Sequence, residues 1–424
     1  DIGMAFDVST FQKLVDSSKY NILYIGESEF VQKISQHVSS DKLEYYQYQD
    51  IYTFEDKELG KNTNHDLVDI IDYVMNDRNT IDLYDRISAP YIFNYATKSE
   101  IKIISMIISA YKFIIIKRPV FLLFYECPHN IKSWIIAKVA EYLNIPVKYC
   151  RNHVFPWRNV LLQGMNKYPK VINSDFIDDP IQQGELEFFY NILDRYTKGT
   201  KFIKPEFIEV LNKEKKKKIY SFNRDIRDNW KKPQNSLYKY LCYRAYHKVS
   251  KGTTIPEKYI VFYLHLQPER TTLPEGYGFT QQYKAISILN EIIPRDWIIL
   301  VKEHPATFYR YCNPVGRWPS FYYNLDKLSN VKLVTLETDP YILIEKSKCV
   351  CTITGTIGKE ALMMGKPVIN FGLNTFYKSL PVGMYNYKDY QSLKVFINSL
   401  EKFKPLSIVE SFKKIVINEV LCTG

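Results

Sequence analysis

The stretch Cys349–Gly372, CVCTITGTIGKEALMMGKPVINFG, decides the architecture. Its apolar start, Cys349–Thr354, reads as a buried strand. Thr354-Gly355-Thr356 is a tight turn, Gly358–Met364 continues as a helix, and Pro367–Phe371 is a second strand. Continuous apolar strands alternating with helices are the pattern of a parallel α/β sheet with both faces covered.

Upstream, the same pattern predicts strands at Tyr259–Leu266, Trp297–Lys302 and Val331–Val334, with helices at Gln281–Ile293 and Pro340–Ser347. Helices over Tyr387–Phe403 and Ile408–Val420 close the chain. A second α/β pattern occupies the N-terminal part. Strands are expected at Asn21–Gly26, Val120–Tyr125 and Ile145–Tyr149, and helices at Asp66–Val74, Lys98–Lys117 and Ser133–Leu143. Between the two patterns, charged helical stretches lead into Tyr220–Lys251, rich in Lys, Arg and Tyr and partly an exposed basic face. The expected organisation is an N-terminal α/β domain over 1–165, a helical basic connecting segment over 166–252, and a C-terminal α/β domain over 253–424. Two such domains in sequence imply a cleft, and open sheets bind ligands beyond the carboxyl ends of their strands.

The 424 residues carry 57 Lys and Arg against 46 Asp and Glu, a net charge of +11 that favours anionic partners or reflects a solvated lysine surface. No zinc-finger spacing or RNA-binding signature is present, so nucleic acid is not an expected partner. The seven cysteines are scattered and odd in number, which fits buried thiols in a reducing compartment and neither a disulfide frame nor a zinc site. The first residues show no basic-then-apolar signal pattern. The most apolar stretch, Ile103–Ile116, contains Lys112 and is too short to span a bilayer core of ~30 Å; it reads as a buried helix. A cytoplasmic protein is expected.

Three strand-end constellations carry chemistry. At Thr354-Gly355-Thr356 a strand gives way at once to a helix, whose free N–H groups and positive dipole end suit a phosphate. Glu360 lies one turn on, where a carboxylate can accept from ribose hydroxyls. The plain alternative is a capped turn with a surface charge. Lys302-Glu303-His304-Pro305 ends another strand, and a histidine there can hydrogen-bond or protonate a leaving phosphate, though lone histidines are often structural. His265-Leu-Gln-Pro-Glu-Arg-Thr-Thr272 ends a third. Glu269 there is a candidate general base or nucleophile, Arg270 a phosphate ligand, and Gln267 an orienting group, against the alternative of a proline-broken loop with solvated charges. In the N-terminal half, Glu126 and His129 follow one apolar strand and Arg158 follows the next; these are candidate acceptor-binding residues.

Gln267–Thr272 (QPERTT), the His304-Pro305 pair and Thr354–Gly372 (TGTIGKEALMMGKPVINFG) together resemble the bacterial capsule polysaccharide biosynthesis family, which includes Kdo transferases acting on capsule and O-antigen glycans. The Pro128-His129 and Phe155-Pro156 loops are similar to that family's N-terminal half. The resemblance implies a GT-B-like α/β fold: two Rossmann-type domains facing a cleft, joined by the helical segment. It implies a glycosyltransferase that uses a nucleotide-activated donor, a CMP-activated acidic sugar such as Kdo, with no metal and no other cofactor. The implied partner is a glycan acceptor, lipid-linked or free; with that acceptor, the net charge of +11 and the lack of a spanning segment lead to an expected peripheral contact with an anionic membrane surface, at the cytoplasmic face of the inner membrane. By position, His304 contacts the donor phosphate and Glu269 does catalytic work, with Gln267, Arg270, Lys302, Thr354, Gly355, Thr356 and Glu360 forming the donor side. Some relatives carry Asp where this chain has Glu269, which leaves base versus nucleophile, and inversion versus retention, open. A sugar-nucleotide epimerase or hydrolase of the same fold, and a non-enzymatic assembly partner, are the alternatives.

Overall fold

The computed structural model describes residues 16, 22–26, 32, 35–36, 38, 41, 43–52, 64–88, 96–124, 126–152, 159–166, 169–171, 183–197, 221–228, 233–267, 269–308, 316–374, 376 and 379–421. The chain divides into two compact units, Asp1–Asn173 and Ser174–Gly424.

The first unit holds β1 (Ile22–Gly26), β2 (Leu43–Gln47), α1 (Tyr48–Tyr52), α2 (Asn64–Met75), α3 (Arg78–Ser88), α4 (Ala96–Lys117), β3 (Leu122–Phe124), α5 (Ile131–Tyr142), β4 (Val147–Asn152), β5 (Asn159–Gln163) and β6 (Lys170–Val171). β1 and β2 pair in parallel as a small sheet of their own. The second sheet runs β3-β4-β5-β6. Its β3–β4 pair is parallel, as the sequence pattern predicts, but β5 and β6 run antiparallel to their neighbours. The link from Asn152 to Asn159 is too short for the crossover helix that parallel pairing requires, so the chain turns straight back. In α4, Ile103, Ile107, Ala110 and Ile114 are buried, a stripe at helical spacing that gives the apolar run a core role. Among the described residues, no helix is long and apolar enough to cross a membrane.

The second unit begins with α6 (Gln183–Thr197), α7 (Phe222–Asp228) and α8 (Pro233–Ser250). These helices do not form a separate connector as the sequence suggests. Tyr246 of α8 donates its hydroxyl to the Val334 carbonyl at the end of a sheet strand, and Phe189 of α6 lies 6.4 Å from Phe412 of the last helix, ring to ring. Apolar faces on otherwise charged helices tie them to the C-terminal core, which moves the boundary from 165 to 173. The Glu214–Lys218 run lies outside the described residues.

The remaining elements are β7 (Tyr259–Tyr263), α9 (Tyr283–Ile292), β8 (Ile298–Lys302), a 3-10 turn at Pro305–Phe308, α10 (Pro319–Asp326), β9 (Val331–Val334), α11 (Pro340–Lys346), β10 (Cys349–Thr352), α12 (Thr356–Met363), β11 (Val368–Asn370), β12 (Met384–Asn386), α13 (Tyr390–Asn398) and α14 (Pro405–Leu421). The six strands form one wholly parallel sheet in the order β12-β11-β10-β7-β8-β9. Numbered within the unit this is 6-5-4-1-2-3, the Rossmann order, and the direction of winding reverses between β7 and β10. All five residues of β7 are buried, as a central strand covered on both faces requires. Beside it, Phe371 packs among Phe262, Phe279 and Tyr387 at ring-centroid distances of 6.3, 5.0 and 5.1 Å.

Helix α12 ends in a Schellman motif. The Lys366 N–H donates to the Ala361 carbonyl and the Gly365 N–H to that of Leu362, with Gly365 at φ +70°. A Cβ at Gly365 would lie 2.7 Å from Pro405 Cβ and 2.9 Å from the Pro405 carbonyl oxygen, so the first turn of α14 closes on the bare glycine. Gly365→Ala is therefore expected to lower unfolding free energy by about 1–3 kcal/mol through backbone strain alone. Urea unfolding checks this; a loss under about 0.5 kcal/mol, at unchanged dependence on urea, would show that the left-handed backbone at Gly365 tolerates a side chain without that strain.

Candidate functional site

Three neighbouring strands, β10, β7 and β8, end side by side in the second unit, and each runs directly into one of the constellations read from the sequence. The Leu264 N–H donates to the Lys302 carbonyl at 2.9 Å, so His265 and Glu303 leave the sheet at the same level. Parallel strands that part at a winding reversal leave a crevice beyond their carboxyl ends, and this one lies between β7 and β10.

The β10 turn is held from below. His265 is buried, its Nε2 lies 2.9 Å from Thr352 Oγ1, and that nitrogen accepts from the N–H groups of Ile353 (3.2 Å) and Thr354 (3.3 Å). These donors assign the ring proton to Nδ1. Burial, with the nearby His304 and Arg317, pushes the His265 pKa down to about 3, so the ring is neutral. Gly355 N–H donates to Thr352 Oγ1 at 3.1 Å. A Cβ at Gly355 would meet that oxygen at 2.7 Å and the His265 ring at 3.1 Å, so the glycine makes room for the histidine beneath it. Gly355 caps α12 without a side-chain bond, and the N–H groups of Thr356 and Ile357 have no partner inside the helix. The exposed Thr356 thus opens an anion-attracting helix start.

Thr354 is engaged elsewhere: its hydroxyl donates to the Thr271 carbonyl at 2.7 Å, which pins the loop after β7 against the β10 turn. The Leu373 N–H adds a second tie, to the Glu275 carbonyl at 2.8 Å. Within that loop, the Glu269 carbonyl accepts from the N–H groups of Thr272 and Leu273, and its carboxylate accepts from the Thr271 hydroxyl at 3.1 Å. Glu269 is half-buried, so it both folds the turn and presents a carboxylate to solvent.

After β8, Glu303 and Arg317 form a fully buried ion pair, with Nε to Oε2 at 2.8 Å. The same carboxylate accepts from the Tyr322 hydroxyl (2.7 Å), the His304 N–H (2.8 Å) and the Thr307 hydroxyl (3.1 Å). Burial alone would raise the Glu303 pKa, but Arg317 and these hydrogen bonds hold it below the usual carboxylate range. Arg317 also donates to the His265 carbonyl (2.9 Å) and to Gln267 Oε1 (3.0 Å). In His304, Nδ1 accepts from the Ala306 N–H at 3.2 Å, which leaves the proton on Nε2. Burial lowers the His304 pKa to about 4, with Glu303 opposing and Arg317 and Lys302 adding to the fall. His304 is therefore a neutral Nε2–H donor, and His265 carries the opposite tautomer.

Several expected donor contacts take a different place. Lys302 is buried and donates to the carbonyls of Thr335 (2.9 Å) and Leu336 (2.7 Å), which turns it away from any phosphate. Gln267 is buried between Arg317 and the Thr280 carbonyl, which its amide reaches at 2.8 Å. Arg270 Nε lies 3.2 Å from Glu275 Oε1, a carboxylate with no solvent exposure. These three side chains brace the site from within.

Glu360 lies one turn into α12. Burial holds its pKa above the ordinary value, against the lowering effect of the Tyr341 and Thr356 hydroxyls, and its Oε2 is buried with no hydrogen-bond partner. Tyr341 of α11 and Tyr196 of α6 meet edge to face at 6.4 Å, and burial, with the nearby Glu360 adding to it, raises both phenol pKa values. His265, Glu303, Arg317 and this tyrosine pair were not marked as site residues by sequence spacing. His265 could have been, as the residue leaving the buried strand ahead of Gln267. In the first unit, His129 Nδ1 lies 3.2 Å from Glu126 Oε1 in the loop after β3, so these two candidates do come together, while Arg158 lies outside the described residues.

Residues 256–380 match the family model described as capsule polysaccharide biosynthesis protein. No curated protein matches the chain in sequence. Among solved structures it is similar to the UDP-GlcNAc 2-epimerase of Methanocaldococcus jannaschii, at 12% identity over 95% of this chain and 99% of that one, with a TM-score of 0.29. It is also similar to the β-Kdo 2,7-transferase KpsC of Thermosulfurimonas dismutans, at 14% identity over 73% of this chain and 80% of that one, with a TM-score of 0.30.

Two expectations follow. Arg317→Met strands the buried Glu303 charge and should cost about 3–5 kcal/mol, whereas the Glu303→Leu, Arg317→Met double variant should cost less than Arg317→Met alone. A double-variant loss in chemical unfolding equal to the sum of the two single-variant losses would show that the pair is not coupled. Both histidine pKa values are depressed on folding, so below about 6.5 the unfolded chain binds more protons and stability falls with pH until the folded-state values near 4 and 3 are reached. Each histidine contributes a slope of up to about 1.4 kcal/mol per pH unit in that window. Glu303, also depressed, loses its contribution only at lower pH. Unfolding free energy that stays flat from pH 7 to pH 5 would contradict the buried neutral assignments.

Proposed function

We propose that this chain is a glycosyltransferase of bacterial surface polysaccharide assembly that takes its sugar from a nucleotide-activated donor. The observation that carries the proposal is the crevice at the β7/β10 winding reversal, where a helix start without a side-chain cap follows β10 and the strand end bearing His304 lies on the other side of β7, within a segment that matches the capsule polysaccharide family model. The N–H groups of Thr356 and Ile357 would take a donor phosphate, and the neutral Nε2–H of His304 would add a hydrogen bond that strengthens as charge builds on the leaving phosphate. With its pKa near 4, His304 acts as a hydrogen-bond donor and not as a proton source at neutral pH. The unpartnered Oε2 of Glu360 calls for a donor, which a ribose hydroxyl would supply.

Glu269 is the candidate for work at the reacting carbon or acceptor oxygen, as base or nucleophile. The donor we favour is a CMP-activated acidic sugar such as Kdo, with a capsule or O-antigen glycan as acceptor, lipid-linked or free. Glu126 and His129 are candidates to bind that acceptor. Turnover proceeds without a metal ion in this reading, because helix N–H groups and His304 supply the phosphate stabilisation, and the protein works at the cytoplasmic face of the inner membrane.

CMP is expected to raise the melting temperature where UDP and GDP do not; a ligand at 100 times its dissociation constant stabilises by roughly 2.7 kcal/mol. Stabilisation by UDP or GDP alone would exclude the CMP-sugar donor. Glu269→Gln should lower turnover by about 10²–10⁴-fold with nucleotide affinity intact, while His304→Ala should weaken both. Near-normal turnover in Glu269→Gln would leave Glu269 as a turn residue, and donor breakdown at full rate without acceptor would identify a hydrolase or epimerase.

A further inference from the structure

Helix α8 carries no Asp or Glu, and its outward face changes character along its length. Leu237 and Leu241 are 51% and 45% exposed, and one and two turns further on Arg244 and Lys248 continue the stripe, also exposed. The spacing 237, 241, 244, 248 is that of a single helix face. Against it lies the start of α10, where Trp318 is 51% exposed with its ring 5.0 Å from that of Tyr238. Tyr323, one helical turn and more beyond, stands under Lys248 with Nζ 5.8 Å from the ring centroid. Leu241, Arg244, Lys248, Pro319 and Tyr323 line a groove of about 550 Å³ between the two helices.

Single exposed apolar side chains need no explanation, but two leucines in one stripe beside an exposed tryptophan and tyrosine of the adjoining α10 do. We propose that this α8/α10 face is a membrane-docking surface that seats the protein on an anionic phospholipid bilayer. The leucines would enter the boundary between headgroups and acyl chains, Trp318 and Tyr323 would sit at headgroup level, and Arg244 and Lys248 would pair with lipid phosphates. Charge complementarity chooses the occupant. A protein partner helix with an apolar face would cover the leucines but not the basic end, and a nucleic-acid backbone would use the basic end but leave the leucines in water. A bilayer edge of phosphate over acyl chain satisfies both. The surface is joined to the candidate site through bonds within one unit: the Tyr238 hydroxyl and the Cys242 thiol of α8 both donate to the Arg317 carbonyl. The docking face does not depend on the sugar chemistry proposed above, and its test reads binding alone.

The experiment is flotation of the full chain with phosphatidylcholine vesicles, with and without phosphatidylglycerol. The wild type should float with the anionic vesicles only. Arg244→Gln with Lys248→Gln should weaken that binding roughly 30-fold. Leu237→Ser with Leu241→Ser should leave binding at low salt and abolish the part that survives high salt. A control with the same charge change elsewhere, Lys394→Gln with Lys402→Gln, should float like the wild type, and circular dichroism should be native throughout, since every substituted side chain is exposed. Equal loss in the control pair would reduce the effect to net charge and overturn the proposal. So would flotation on neutral vesicles to the same extent, or binding of a single-stranded oligonucleotide, in place of vesicles, that Arg244→Gln with Lys248→Gln abolishes.

Discussion

The buried Glu303–Arg317 pair is the interaction on which the C-terminal site depends. Taking both charges out of water is costly, and the cost is offset only because the remaining donors and acceptors find partners. Arg317 reaches the His265 carbonyl and Gln267, while Glu303 receives Tyr322, Thr307 and the His304 N–H. One ion pair therefore ties the loop after β7, the loop after β8 and the start of α10 to a common point. The crevice walls are fixed before any ligand arrives, which is what preorganised stabilisation of a developing charge requires.

Around that point the polar residues divide by direction. His265, Gln267 and Lys302 face inward and bond to backbone carbonyls and amides, and Arg270 lies in ion-pair range of the buried Glu275 carboxylate. Thr356 is exposed at the start of α12, and Glu269 is half-buried in the loop pinned against the β10 turn. The two histidines show how backbone geometry assigns roles to one residue type: His265 receives N–H groups at Nε2 and supports a turn, while His304 receives one at Nδ1 and keeps its outer nitrogen as a donor. Both are kept neutral by burial, so the tautomer and not the charge carries the distinction.

Much of this was legible in the sequence. Continuous apolar runs located β7, β8 and β10, and the Thr-Gly-Thr turn located the helix start, because buried parallel strands and helix caps have local signatures. The inward roles were not legible. Lys302 and Gln267 share their strand ends with His304 and Glu269, and only the direction of each side chain separates bracing from reaching, which spacing does not encode. Arg317 lies in an irregular region with no periodicity, 14 residues from the carboxylate it pairs with. In the first unit the turn back at β5 was missed because the short apolar run Asn159–Gln163 has no alternation to give its direction. The exposed stripe on α8 was visible only as basic and aromatic composition until the helix phase set Leu237 and Leu241 beside Arg244 and Lys248.

The central claim is that the crevice between β7 and β10 is where the nucleotide binds. Photoaffinity labelling with an azido-cytidine monophosphate, followed by peptide mapping, tests it without assuming any sugar or acceptor. The account predicts label in peptides around the β10 turn and α12, within Thr352–Glu360, or in the strand end at Glu303–Phe308, competed away by unlabelled CMP. Specific, competable label confined to peptides of residues 1–173 would place the nucleotide elsewhere and contradict it.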